Sequence, residues 1–151
     1  MKNRWVLLVV CLLLVSLFSI GCSRGGSSMS EANSTEPPNA YIIVDQVEIP
    51  LIKGSYQWKN AIADAPTPDM LVRDSKVYIV NSGSAVTVSF HSGPEPTETW
   101  GGLWVNQNFT PLTKQDGKFL LPSEPGQYIF VAGGKWTEGE CSYATILKVV
   151  E

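Results

Sequence analysis

The chain has 151 residues, of which 44% are hydrophobic, 10% aromatic and 17% charged, with a formal charge of −3. So much apolar side chain excludes a disordered tail as the whole protein, and an acid excess without a basic stripe excludes nucleic acid as a partner. One histidine and scattered carboxylates are a thin inventory for catalysis.

The first four residues carry two positive charges, Lys2 and Arg4, and Trp5 to Ile20 is a sixteen-residue apolar run broken by Ser16 and Ser19. At the helical rise that run reaches about 24 Å, short of the ~30 Å hydrocarbon core, so it reads as the apolar part of a signal peptide. Gly21-Cys22 follows at once, and an apolar run ending in a small residue and a cysteine resembles the lipobox of bacterial lipoproteins. The resemblance implies that residues 1–21 are a signal peptide. It also makes Cys22 the lipidated first residue of the mature chain, carrying acyl groups of the palmitate kind and facing the extracytoplasmic side of the cell membrane. An uncleaved anchor and an ordinary signal peptide cut near Gly21 are the alternatives, and both still place the remainder outside the cytoplasm. Loss of Lys2 and Arg4 leaves 9 basic residues against 14 acidic ones, a formal charge of −5. Residues 22–40 form a tether. Ser23 to Ala40 is rich in Ser, Gly, Asn, Pro and Glu, has no apolar period and spans roughly 23 Å as a random coil. With Cys11 in the leader and Cys22 lipidated, Cys141 is the only free thiol and no intramolecular disulfide forms, so residues 41–151 must be held by their core.

From Tyr41 onward, apolar runs of four to seven residues alternate with Gly, Pro, Asn, Asp and Ser clusters, the spacing of short antiparallel strands. Tyr41-Ile42-Ile43-Val44 and Val47-Glu48-Ile49 read as a hairpin turning at Asp45-Gln46, and Gly54-Ser55-Tyr56-Gln57-Trp58 as a further strand. Pro68 to Arg73 supports a single helical turn beginning after Pro66. Val77-Tyr78-Ile79-Val80 and Ala85 to His91 read as a second hairpin about Asn81-Ser82-Gly83-Ser84. The period of two from Val86 to His91 points Val86, Val88 and Phe90 at the core. Trp100 to Asn106 and Lys118 to Leu121 add strands, and Gln127 to Ala132 pairs with Ser142 to Val150. Seven to nine short strands with frequent turn signals predict an all-β fold, an immunoglobulin-like antiparallel β-sandwich, against a small closed barrel as the competing architecture.

In order along the chain, several elements resemble uncharacterised lipoproteins of Gram-positive bacteria with one immunoglobulin-like domain. They are Gly54 to Trp58, Pro66 with Leu71, Val86, Val88 and Phe90, Leu103-Trp104, Phe119 with Pro122, Pro125-Gly126-Gln127-Tyr128, Trp136, Gly139 and Tyr143. The last of these, from Pro125 to Tyr143, is also similar to a bacterial proteinase-inhibitor family of comparable fold. That family is intracellular, whereas this chain is expected to be exported.

Candidate chemistry is sparse. His91 with Ser89 and Ser92 lacks the nucleophile elbow and orienting carboxylate of a hydrolase and reads as a surface histidine. Asp64, Asp69 and Asp74, with Glu95, Glu98, Glu138 and Glu140, follow no Ca²⁺-loop pattern, and one His with one Cys cannot supply four zinc ligands, so no metal or other cofactor is expected. Trp58, Trp104 and Trp136 read as core. Trp100 stands between the polar run Pro94 to Thr99 and Gly101-Gly102, the setting of a loop or bulge that leaves a large ring exposed, and it is the candidate binding residue. The expected function is therefore that of a membrane-anchored binding module for an envelope protein or polymer, not an enzyme. An exported proteinase-inhibitor-like domain is the alternative, and a hydrolase stands behind both.

Overall fold

The computed structural model describes residues 34–151. The expected signal peptide, the lipidation site Cys22 and most of the tether lie outside the described residues. The described chain is an all-β sandwich of two packed sheets.

Sheet one has the order β2-β1-β6-β10-β9. It is built from β1 (Asn39–Val44), β2 (Val47–Pro50), β6 (Ala85–His91), β9 (Lys114–Gln115) and β10 (Lys118–Leu120). The first hairpin forms as expected. Asp45 and Gln46 take positive φ values of 50° and 66°, the doubly left-handed turn that matches the twist of the flanking strands. Sheet two runs β4-β3-β12-β11-β7-β8. Its strands are β3 (Ile52–Trp58), β4 (Ala61–Ala63), β7 (Glu98–Val105), β8 (Asn108–Pro111), β11 (Gly126–Trp136) and β12 (Gly139–Val150), with β5 (Val77–Asn81) added beside β12. The last hairpin, β11 and β12, is the longest pairing and the spine of this sheet, with eleven paired positions from Gly126↔Val149 to Trp136↔Gly139.

The expected second hairpin does not form. β5 and β6 lie in different sheets. β3 covers one edge of β12 only as far as Ala144, which leaves the edge from Ile146 to Val150 free, and β5 pairs there in parallel. The turn between them is drawn off as well, since Ser82 N–H donates to Val150 O and Gly83 N–H to Pro122 O. The three-residue link Ser82-Gly83-Ser84 therefore carries the chain from one sheet to the other. Short strands β4, β8 and β9 raise the strand number above expectation; each has two to four residues, too few for a periodic signal.

The core lies between the sheets. Ile42, Val44, Ile49 and Val86 of sheet one meet Phe130, Tyr143, Leu147 and Val149 of sheet two, all at most 1% exposed. Val88 and Phe90 pack against this core, as the period of two requires. Trp136 stands at its end, edge-on to Trp58 at 5.3 Å and to Phe90 at 4.8 Å, with its indole N–H donated to Pro94 O. Such edge-to-face aromatic contacts add to plain area burial. The domain also starts earlier than composition suggests. β1 begins at Asn39, Pro37 is buried, and Pro38 O accepts the Tyr143 hydroxyl at 2.7 Å, which fastens the end of the tether to the last strand.

Candidate binding face

Residues of β7, β11 and β12 that alternate with the core positions build the outer face of sheet two. Trp100, Trp104, Ile129, Val131, Ala144 and Ile146 form a second apolar cluster there, separate from the core between the sheets. Trp100 is the third residue of a regular strand, so the expected loop or bulge is absent, and its ring is half-buried. The cause is its register partner: Trp100 faces Gly133 on β11. A side chain on Gly133 would coincide with the indole, so the ring lies over bare backbone. Phe109 repeats the device one strand outward by lying over Gly102, with its ring edge-on to Trp100 at 5.3 Å. Two glycines thus seat two aromatic rings on the sheet, and Phe109 remains 40% exposed.

Trp104 sits on this face too, where the sequence places it in the core between the sheets. Its N–H donates to Asp69 Oδ1 at 2.9 Å. That bond ties down α1 (Pro68–Leu71), the expected helical turn, whose last residue Leu71 and the Val72 after it pack with Val131, Ala144 and Ile146. The Asp69 carboxyl is held below its ordinary value of 3.8, first by the Thr67 hydroxyl and also by the Trp104 indole. A cavity of about 230 Å³ lies between the Ala65–Pro68 segment and the sheet at Ser55 and Ser142. Its wall is pinned, since Ala65 N–H donates to Ser55 Oγ at 3.0 Å and Ser142 Oγ donates to Ser55 O at 3.1 Å.

On the other side of Trp100, cross-strand register aligns Gln57, Glu140, Lys135 and Glu98 in one row over β3, β12, β11 and β7. All four side chains are exposed. Among the described residues the side chains of Lys135, Glu98 and Glu140 make no ion pair with one another, and the Thr97 hydroxyl bonds only the Lys135 carbonyl. The row was hidden in the sequence because Gln57 and Glu98 are distant in the chain from Lys135 and Glu140; three separate pairings, β3–β12, β12–β11 and β11–β7, assemble it.

The other candidate residues have partners of their own. His91 ends β6 on the surface, stacked on Tyr41 at 4.2 Å and paired with Glu48 at 3.1 Å, while Ser92 Oγ donates to His91 O and not to the imidazole. Asp69 serves Trp104, and Asp74 pairs with Arg73 in solvent. Among the described residues no group of three or more His, Cys, Asp or Glu is placed to hold a metal ion. Cys141 is a buried free thiol, and burial pushes it up to about 11. A larger cleft of about 850 Å³ separates the Ser34–Asn39 segment from Lys53, Lys59 and the His91–Pro94 loop. Its cations hold that segment in place, Lys53 through Glu36 and Pro37 O, and Lys59 through Ser34 O. The cleft is thus the seam of the docked tether end.

No family model, curated protein or solved structure matches this chain.

Proposed function

We propose that this chain is an exported lipoprotein, anchored through Cys22 to the cell membrane, whose immunoglobulin-like sandwich is a binding module for a component of the cell envelope. One observation carries the reading: Trp100 and Phe109 are seated over Gly133 and Gly102 on the outer face of sheet two, where they add nothing to the core between the sheets. Large rings held rigid and partly open are the usual anchors of recognition, because little side-chain freedom is lost when a ligand covers them. The tether supports the same reading by giving the module reach from the bilayer surface.

Two variants test it in intact cells. Cys22→Ala is expected to release the chain to the medium or stall it as a precursor, since stable anchoring takes more than one acyl chain. A photo-crosslinking residue in place of Lys135 is expected to capture an envelope component, with capture lost when Trp100→Ala is added. Mature membrane-bound Cys22→Ala, or capture unaffected by Trp100→Ala, contradicts the proposal.

A further inference from the structure

We propose, resting on the binding-module reading, that the outer face of sheet two takes a neutral, hydroxyl-rich glycan chain laid across the strands over Trp100. The surface is a groove with distinct sides. Its floor is Ser142 and, on the strand beside it, the Trp100 ring lying over Gly133, the register partner of Ser142. The Pro66–Pro68 segment forms one wall, pinned by the Ala65 bond to Ser55 and by the Trp104 bond to Asp69. The exposed row of Gln57, Glu140, Lys135 and Glu98 forms the other.

Each part matches a feature of a sugar. A pyranose presents an apolar C–H face, which stacks on an aromatic ring, and a rim of hydroxyls that both donate and accept. The row beside the ring alternates acceptor, donor and acceptor in Glu140, Lys135 and Glu98, with Gln57 able to do both. These charged groups are unpaired with one another although they are cross-strand neighbours, so their hydrogen-bonding capacity is available to a ligand. The strands stand about 4.8 Å apart, close to the advance per unit of an extended pyranose chain, and the row spans about 14 Å. A chain crossing the sheet meets one polar side chain per sugar.

Other occupants fit less well. A polyanion meets two carboxylates against one ammonium, on a mature chain of charge −5 by the count above. An extended peptide adds to a sheet at an edge, and the backbone of β7, β11 and β12 is paired on both sides here. An apolar helix or acyl chain would strip water from three charges and leave them unpaired.

The test uses the full-length chain in a non-glycosidic detergent, titrated with the β-1,4-linked hexamers of glucose and of N-acetylglucosamine and, as the anionic arm, with a galacturonate hexamer. Calorimetry and indole fluorescence are read together. At least one neutral hexamer is expected to bind, with affinity reduced about tenfold or more by Trp100→Ala and several-fold by Glu140→Ala, a surface change that spares the fold. Absence of neutral-hexamer binding at millimolar concentration overturns the inference. So does equal binding of the galacturonate hexamer, or affinity unchanged in both variants. If the neutral hexamers fail while crosslinking through position 135 still depends on Trp100, the glycan is wrong and the binding module stands; failure of both removes both.

Discussion

Cys141 shows how one side chain ties chemistry to stability. It is 2% exposed beside Tyr143, and burial disfavours its thiolate, so the native thiol titrates near 11 where its ordinary value is 9.0. Between those values the unfolded chain has lost a proton that the native chain keeps. Its contribution to stability is therefore complete below pH 9 and is lost as pH rises toward 11. The native chain is expected to resist iodoacetamide at mildly alkaline pH and to react fully once unfolded, and Cys141→Ala is expected to flatten the alkaline fall in thermal midpoint. Rapid alkylation of the native chain contradicts this placement. Burial of Cys141 was legible from its residue type alone, since cysteine is among the most commonly buried side chains. The place of Trp104 was not. Trp100 and Trp104 share a strand face, so their burial depends on what covers that face, and the cover comes from Asp69, 35 residues away.

The elements divide in the same way. The hairpins with contiguous partners, β1–β2 and β11–β12, were legible because turn chemistry and period agree locally. The β5–β6 hairpin was misread because a parallel pairing with β12 competes for β5, and nothing within Val77 to Ser84 announces a partner some seventy residues on. The helical turn α1 was legible from Pro66 and Pro68, yet its task was not: it roofs the outer face and makes one wall of the groove. A four-residue helix has little stability of its own and depends on its tertiary contacts. Asp69→Ala removes the acceptor for the Trp104 indole, and trypsin is expected to cut after Arg73 several-fold faster in that variant than in the wild type. Because the Asp69 carboxyl titrates below 3.8, its contribution is present above that pH and fades only as pH falls through the depressed native value. Loosening of α1 is thus expected in strong acid and not near neutrality. Equal cleavage rates in variant and wild type would show that Leu71 and Val72 alone hold the turn.

In the whole molecule the aromatics serve two surfaces. Trp58, Trp136, Phe90 and Tyr143 join the sheets, and Tyr143 also holds the end of the tether through Pro38. Trp100 and Phe109 lie outside that core, on glycines that keep them there. The sandwich itself could be argued from turn spacing and alternation, but the groove could not, because it arises only where four strands and a loop from separate parts of the chain come side by side. The central claim is that the Trp100 face takes a neutral glycan, and ligand-induced stabilisation of the full-length chain tests it most directly. A ligand that binds only the native state raises the thermal midpoint with concentration, independently of each variant's starting stability. The account predicts that a neutral β-1,4-linked hexamer raises the midpoint of the wild type progressively and that Trp100→Ala needs about tenfold or more of it for the same rise. A wild-type midpoint indifferent to the hexamer, or an equal rise in both proteins, would contradict it.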